Sequence, residues 1–484
     1  MRYVVPVNAP DEVSALAGAG AGELYCGFQD TWWAEHYGDH DSATRRQGRA
    51  NLATTTELAA AAGEARRHGL PLYLALNSRY TEPQLDHLMR LCEGFEAAGG
   101  TGVILSDLGL LWRLHGRTGL RVCLSLLVVA QNVPTLEAFR SLGVSRVVLP
   151  RFVGWQEAGA LLGAVPGMEG EVMAFFDKCP WVDGYCRHRH GVTYPDRDGA
   201  GSTDNAPLFT FDTTYRTHAC LGRACTYLQP YPCAACYLRL FEAAGVGLAK
   251  LGGRGRPLDE RLRALRFLRT AADLGSDEER ASLYRSTFGR DCACYYGRAG
   301  QDRRAIEPVV VARDASRRYV GSETDFDAFH DAMVRLCQDP PASTAGDLTM
   351  LVPPLSESGL RWLLDRLPEL SASCLFGTHL AVNDLGTLVE ATHAARDRSL
   401  GLRVTMGTLL ARLDDPAEVA HFLSADENPS RAVWGPAGEP RVLTYREPPE
   451  ALRRHWATPS LVEPSAQEAL RELTGKPSIP YEFG

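Results

Sequence analysis

The first half of the chain alternates between short apolar runs and longer amphipathic stretches. The apolar runs are rich in β-branched and aromatic residues, which favour strands. They cover residues 3–7, 23–26, 71–76, 102–105, 121–129, 146–149, 171–176 and 247–251. Helical periodicity fills most of the intervals, over residues 55–68, 82–98, 134–142 and 155–162. Eight strands separated by helices predict an α/β fold built as a (β/α) barrel, with a doubly wound open sheet as the alternative.

The polar residues that follow these strands are the candidate ligand-binding residues. In a barrel of parallel strands, functional side chains lie at the carboxyl ends of the strands, on one face. The positions just after the runs include Asn77, Asp107, Arg151 and Asp177. Within the helix over 55–68, one of the three threonines at 54–56 is expected to act as N-cap, and Gly69 to end the helix.

A cysteine-rich segment interrupts the alternation. Six of the 13 cysteines fall between residues 179 and 236, namely Cys179, Cys186, Cys220, Cys225, Cys233 and Cys236. In a reducing compartment such a cluster indicates metal before disulfides. Only the Cys233-Ala-Ala-Cys236 spacing fits a zinc knuckle; the uneven spacings favour an iron–sulfur cluster, with zinc as the alternative. The smaller pair, Cys292 and Cys294, is interpreted as structural, with metal contact as the alternative.

An internal repeat links the two halves of the chain. The segment Ile104-Leu-Ser-Asp107-Leu-Gly109 is followed by Gly119-Leu-Arg-Val, and Ala381-Val-Asn-Asp384-Leu-Gly386 is followed by Gly401-Leu-Arg-Val. We therefore predict a barrel over residues 1–255 with a cysteine-rich metal-binding insertion at about 177–236. A helical connector over 256–300 and a second α/β domain over 301–484, a degenerate repeat of the first, complete the predicted organisation.

Composition and charge limit the choice of partners. The chain has 484 residues, of which 45% are hydrophobic and 23% charged, and its formal net charge is −8. Enough apolar area is present for packed cores, whereas the acidic balance argues against a broad nucleic-acid surface. The longest apolar run, residues 122–130, is about half of what a membrane-spanning helix needs. We expect a cytoplasmic protein with a small-molecule substrate, no membrane partner, and either self-association or a partner protein.

Motifs of other chemistries do not occur in the sequence. There is no His-Glu-x-x-His zinc-protease helix and no Gly-x-Ser-x-Gly nucleophile elbow. The Gly18-Ala-Gly20-Ala-Gly22 run precedes a strand, so it is interpreted as a loop and not as a dinucleotide fingerprint. Nucleophilic and nucleotide-driven mechanisms therefore have no support in the sequence.

An ordered series of motifs resembles the collagenase-like peptidase family U32. It begins with Glu23-Leu-Tyr-Cys-Gly27, Arg49-Ala-Asn51 and Leu70-Pro-Leu-Tyr-Leu-Ala-Leu-Asn77. It continues through Ser106-Asp-Leu-Gly109, Arg146-Val-Val-Leu-Pro-Arg151 and the clustered cysteines to Lys250-Leu-Gly-Gly-Arg254. The resemblance covers about residues 1–255.

The resemblance implies an iron–sulfur enzyme and not a protease. The better understood members of the family are hydroxylases that work without dioxygen, in ubiquinone biosynthesis and RNA modification. They carry a 4Fe-4S cluster on four cysteines, and prephenate is implicated as the oxygen donor. Carried over to this chain, the resemblance implies ligands at Cys179, Cys186 and Cys233, with Cys220 or Cys225 as the fourth and Cys236 as an alternative.

The same resemblance suggests which residues bind the substrate. Arg49, Arg151 and Asn77 would bind a dicarboxylate, because guanidinium groups pair well with carboxylates. The full candidate set for substrate binding is Arg49, Asn51, Asn77, Asp107, Arg151 and Asp177. No catalytic residue is assigned.

The chain also departs from the family pattern. The family's Lys-Ile-Glu-Gly-Arg becomes Lys250-Leu-Gly-Gly-Arg254, so Gly252 stands where the glutamate would be. The sequence thus predicts an oxygen-independent iron–sulfur hydroxylase or related oxidoreductase acting on a small molecule. Two alternatives stay open: a peptidase or other hydrolase with structural zinc, and a non-catalytic cluster-bearing scaffold for a partner enzyme.

Overall fold

The chain divides into two compact units. The computed structural model describes residues 1–37, 43–44, 46, 50–78, 80, 82–176, 188–189, 206–207, 231–296, 310–313, 319–323, 349–352, 354–373, 379–406 and 464–476. The first unit comprises Met1–Leu127 and Gly143–Ala299, and the second comprises Val128–Leu142 and Gly300–Gly484.

Eight parallel strands close into a barrel in the first unit. In chain order the strands up to residue 294 are β1 (Arg2–Pro6), β2 (Glu23–Gly27), β3 (Leu72–Leu76), β4 (Gly102–Leu105), β5 (Arg121–Leu124), β6 (Val144–Val148), β7 (Glu169–Phe175), β8 (His188–Arg189), β9 (Ala206–Pro207), β10 (Pro232–Cys233), β11 (Val246–Leu251) and β12 (Ala293–Cys294). Strands β1 to β7 pair in sequence, and β11 pairs with both β1 and β7. The predicted (β/α) barrel is confirmed, and its eight strands are the eight predicted apolar runs.

Helices connect the barrel strands. In chain order they are α1 (Glu12–Gly18), α2 (Thr31–Tyr37), α3 (Thr55–Arg67), α4 (Glu82–Ala97), α5 (Leu108–Leu114), α6 (Val133–Ser141), α7 (Trp155–Ala164), α8 (Ala235–Ala243), α9 (Leu258–Asp273) and α10 (Asp277–Phe288). Thr54 is the N-cap of α3 and forms a capping box with Glu57, and Gly69 adopts a φ of +66° just after the helix. None of the helices in the described part of the chain is long and apolar enough to cross a membrane.

The predicted strand over 121–129 is too long. Strand β5 ends at Leu124, and a 3-10 turn follows over Leu126–Val128, after which Val129 has a φ of 57°. The run is continuously apolar because Val128, Val129 and Ala130 are buried, and not because the backbone stays extended. Hydrophobic periodicity alone does not separate these two cases.

The second unit contains a five-stranded mixed sheet. Its strands are β13 (Val310–Arg313), β14 (Tyr319–Glu323), β15 (Thr349–Val352), β16 (His379–Val382) and β17 (Arg403–Met406), in the order β14-β13-β15-β16-β17. Strand β13 is antiparallel to both neighbours, whereas β15, β16 and β17 are parallel. The unit also has α11 (Glu357–Ser373), α12 (Leu385–Asp397) and α13 (Pro464–Thr474), and α6 is counted with it.

The two segments of the predicted repeat have the same local structure. Strand β4 leads to Asp107, which caps α5, and β5 follows; strand β16 leads to Asp384, which caps α12, and β17 follows. The second unit is α/β as predicted, and its origin as a degenerate copy of the barrel stays a prediction. The predicted connector region contains α9 and α10, which belong to the first unit.

Candidate functional site

A polar cavity lies at the carboxyl ends of the barrel strands. Its volume is about 100 Å³. The side chains in its lining that carry polar groups are Tyr25, Thr44, Arg46, Asn77, Ser125, Arg151, Lys250 and Arg254. Four of these eight are cations, and no aspartate or glutamate of the described residues belongs to the lining. The cavity therefore favours an anionic ligand.

Lys250 is a fixed cation in this lining. It comes from β11, is only 6% exposed, and its Nζ lies 2.7 Å from Glu171 Oε1 and 4.3 Å from the centre of the Tyr25 ring. Burial by itself would lower the pKa of Lys250, but Glu171 outweighs this effect and raises that pKa above its ordinary value. The paired carboxylate of Glu171 therefore favours the charged form of Lys250.

A buried ionic network continues from Glu171 toward the amino-terminal end of the barrel. The guanidinium of Arg146 donates to Glu23 at 2.7 and 3.0 Å, to Glu169 at 3.1 Å and to Glu171 at 3.4 Å. Its Cζ also lies 4.6 Å from the centre of the Tyr73 ring. Hydrogen bonds to these carboxylates raise the pKa of Arg146 despite its burial, so its charge is permanent. The network fixes the strands under the cavity.

Hydrogen bonds connect Arg254 to the loop that follows β2. Arg254 donates to Thr44 O at 2.9 Å, and Asn51 donates to Arg46 O at 2.6 Å. Thr44 Oγ1 donates in turn to Asn51 Oδ1 at 2.7 Å. A Cβ at Gly27 would collide with both Asn51 and Arg254, so glycine is needed at the end of β2. These contacts place Arg46 and Arg254 in the same lining.

The predicted substrate-binding residues fall into three groups. Asn77 and Arg151 line the cavity, and the buried Oδ1 of Asn77 accepts no hydrogen bond within the part of the chain that the structure describes. Asn51 donates a hydrogen bond within the adjacent loop. Asp107 caps α5, and its carboxylate accepts a hydrogen bond from the backbone amide of Tyr80 at 3.1 Å. Arg49 and Asp177 lie outside the described residues.

Sequence reasoning did not assign Lys250 and Arg254 to the site, although both belong to a quoted motif. A signal was present, because a lysine inside an apolar strand run that closes the barrel must face either the core or the mouth. Thr44 and Arg46 carried no comparable signal, since they lie in a polar loop without periodicity.

A group of cysteines lies at the carboxyl end of β7. Cys233 pairs with Phe175 of β7 on one side and with Cys294 on the other. It is 3% exposed, and the backbone amide of Ala235 donates to its Sγ at 3.3 Å. Of the other predicted ligands, Cys236 is half-buried in α8, and Cys179, Cys186, Cys220 and Cys225 lie outside the described residues.

The thiols of Cys233 and Cys292 shift each other's pKa in opposite directions. Burial raises the pKa of Cys233, and the neighbouring thiol of Cys292 raises it further. The thiol of Cys233 lowers the pKa of Cys292. For Cys236, burial and the nearby carboxylate of Asp277 raise the pKa to about 12. Within the described residues no three side chains of the metal-binding types come together as a complete metal site.

Cys233 has the features of a ligand for a thiolate-bound metal or cluster. A buried sulfur that accepts a backbone N–H is a common arrangement for such ligands, since hydrogen bonds stabilise the thiolate charge. A metal would displace the proton of the Cys233 thiol on binding. Of the predicted ligands, Cys233 is a described residue that could hold such a group, and the cluster itself stays a prediction.

Comparison with known proteins adds a family. The model of peptidase family U32 matches residues 8–299. No curated protein matches the chain.

Three solved structures illustrate the likeness of fold. The U32 peptidase Mk0906 is 12% identical, with 53% of this chain and 94% of that chain covered and a TM-score of 0.33. A 2,3-dimethylmalate lyase of the PEP mutase/isocitrate lyase superfamily is 13% identical, with 60% and 90% covered and a TM-score of 0.30. An oxaloacetate acetylhydrolase in complex with oxalate is 13% identical, with 58% and 88% covered and a TM-score of 0.30.

Proposed function

The chain belongs to peptidase family U32, and on that premise we propose that it is an iron–sulfur enzyme that hydroxylates or otherwise oxidises a small anionic molecule without dioxygen. The observation that supports this proposal is a cavity lined by four cations at the barrel mouth, in the same unit as the buried Cys233. The absence of a nucleophile motif from the sequence weighs against a hydrolase.

The cavity residues bind and orient the anion. Arg151 and Arg254 offer guanidinium groups that match a carboxylate, and Lys250 adds a buried positive charge at the same lining. The Oδ1 of Asn77 can accept a hydrogen bond from a hydroxyl group of the ligand. A ligand with two carboxylates, such as prephenate, satisfies more of these groups than a neutral one.

The cysteines hold the redox group. Cys233 would be one ligand, and the family resemblance assigns Cys179, Cys186 and either Cys220 or Cys225 as the others, with Cys236 as an alternative. When bound, a 4Fe-4S cluster supplies electron transfer, and the oxygen atom comes from an organic donor. This chain's own contribution would be the buried sulfur of Cys233 and a cation-lined cavity that binds and positions the anion.

Metal analysis is the first test of this function. The chain is purified without oxygen, and its iron, sulfide and zinc contents are measured together with its absorption spectrum. We expect about four irons and four sulfides per chain, lost in Cys233→Ser. One tightly held zinc with no sulfide would refute the redox function and favour the hydrolase alternative.

Ligand binding tests the anion site separately. Isothermal titration of the purified chain with prephenate and with a neutral ester of similar size measures the charge requirement. We expect binding of the dicarboxylate alone, and equal binding of both compounds would contradict the proposed role of the cations.

A further inference from the structure

Tyr80 is a buried tyrosine in the loop between β3 and α4. Its side chain is 1% exposed, and its backbone amide donates to Asp107 Oδ2 at 3.1 Å. The ring of Trp33, from α2, packs edge-on against the Tyr80 ring, with 6.1 Å between the ring centres. Because both the backbone and the ring of Tyr80 are held, its hydroxyl group has a defined position.

The hydroxyl of Tyr80 joins this loop to the loop that follows β2. It donates to Ala43 O at 2.5 Å and accepts a hydrogen bond from the backbone amide of Ser78 at 3.2 Å. Ala43 is 3% exposed, so water has little access to its carbonyl group. Loss of the donor to a buried carbonyl is costly. The bond between Tyr80 and Ala43 therefore ties together two loops that lie 37 residues apart in the sequence.

The residue after Ala43 belongs to the lining of the cavity. Thr44 is 0% exposed, its carbonyl oxygen accepts from Arg254 at 2.9 Å, and its Oγ1 donates to Asn51 Oδ1 at 2.7 Å. The carbonyl group of Ala43 and the amide nitrogen of Thr44 form one planar peptide group. A hydrogen bond to Ala43 O therefore restricts the position of Thr44 and, through Thr44 O, that of the Arg254 guanidinium.

Tyr80 acts on the cavity from a distance, since it is not part of the lining. A cation that is held in place before the ligand arrives binds more tightly, because less conformational freedom is lost on binding. The same contacts give a role to Asp107, a predicted substrate-binding residue. Its carboxylate caps α5 and accepts the amide of Tyr80, so it belongs to the support of the cavity.

We propose that Tyr80 is a positioning residue for the anion cavity, because its hydroxyl fixes the peptide group between Ala43 and Thr44 and thereby the guanidinium of Arg254. The proposal rests on the anion binding proposed for the cavity. It adds a residue that belongs to none of the motifs in the sequence.

Ligand titration of two matched variants tests the proposal. Tyr80→Phe removes the hydroxyl and leaves the ring. Tyr3→Phe is the control, since the hydroxyl of Tyr3 also donates to a buried-side backbone carbonyl, that of Leu268 in α9 at 3.1 Å, and Tyr3 does not line the cavity. In isothermal titration of the full-length chain with prephenate, we expect Tyr80→Phe to lose about three- to tenfold in affinity and Tyr3→Phe to match the wild type. Wild-type affinity in Tyr80→Phe would overturn the proposal.

Arginine labelling gives a second readout that needs no ligand. Phenylglyoxal modifies accessible guanidinium groups, and peptide mass spectrometry follows the modification of Arg254 and of Arg146, which are 6% and 1% exposed. Arg146 reports opening of the whole barrel. We expect Tyr80→Phe to speed the labelling of Arg254 and not of Arg146, and Tyr3→Phe to change neither. Equal acceleration at both arginines would show a loss of stability alone and would contradict the positioning role.

Failure of this assignment is distinguishable from failure of the proposed function. Prephenate binding that is equal in the wild type and in Tyr80→Phe would leave the anion site standing and refute the role of Tyr80. A wild-type chain that does not bind prephenate, with faster labelling of Arg254 in Tyr80→Phe alone, would support the positioning of Arg254 and refute the proposed ligand. Neither binding nor a change in labelling would refute both.

Discussion

The amino-terminal part of the barrel interior and the mouth of the barrel differ in the signs of the charged side chains that they contain. In the amino-terminal part, Arg146 is surrounded by the carboxylates of Glu23, Glu169 and Glu171. At the mouth, four cations line the cavity, and no carboxylate of the described residues shares that lining. Lys250 belongs to both regions, because it lines the cavity and pairs with Glu171.

The difference separates charges that are surrounded by carboxylates from charges that line a cavity. A buried ion pair contributes little net stability, yet removing one partner is costly because the other charge stays buried. A cation-rich lining gains its favourable energy when an anion enters. Loss of a positive charge in the amino-terminal part should therefore lower the free energy of unfolding. Loss of a positive charge at the mouth should instead lower the affinity for the ligand.

The largest expected effect is the loss of Arg146. Arg146→Met leaves buried Glu23 with only the partly exposed Arg2, and buried Glu171 with only Lys250. We expect the free energy of unfolding to fall by about 3–5 kcal/mol. Arg121→Met is the control, since that side chain is 47% exposed and its contact with Glu169 is worth less than about 1 kcal/mol. Urea unfolding of both variants measures the difference, and equal losses would show that the network does not support the barrel.

Lys250 should show both effects at once. Lys250→Met leaves Glu171 buried beside Arg146 and removes a cation from the cavity, so we expect a loss of roughly 2–4 kcal/mol in stability together with weaker anion binding. In the double variant Lys250→Met with Glu171→Met, stability should recover in part while binding should not. Recovery of binding in the double variant would mean that Lys250 acts only through the fold.

The barrel was predictable because its strands are continuous apolar runs between capped helices. Thr54 and Gly69 marked the ends of α3 in the sequence, and both prove to have those roles. Such signals are local, since each depends on residues within one turn or one strand. The end of β5 was missed because buried loop residues and buried strand residues have the same composition.

The site was predictable only in part, because it depends on contacts between distant segments. Asn77 and Arg151 follow strands and were predicted for that reason. Asp107 also follows a strand, but its carboxylate caps α5, and an aspartate before a helix is consistent with either role. The pairing of Cys233 with Cys294 joins positions 61 residues apart, and no spacing rule indicates it.

A smaller effect, mainly on ligand binding, is expected at Arg151. Arg151→Met removes a guanidinium from the cavity lining, and we expect the affinity for a dicarboxylate to fall about 10- to 100-fold, with a smaller loss in the free energy of unfolding than in Arg146→Met. Titration calorimetry and urea unfolding measure the two quantities. A variant that unfolds as readily as Arg146→Met would place Arg151 with the structural charges instead.

The smallest expected effect is the acid response of Glu169 at the edge of the network. Burial by itself would raise the pKa of Glu169, but Arg146 outweighs it and holds that pKa below its ordinary value of 4.5. Because the folded state has the lower pKa, this stabilisation is present above about pH 4.5 and is lost as the pH falls through the folded-state value. The side chain is 30% exposed, so solvent screening keeps the effect small. Urea unfolding between pH 3 and 6 should show a weaker pH dependence in Glu169→Gln than in the wild type, and identical slopes would mean that Glu169 adds no pH-dependent stability to the network.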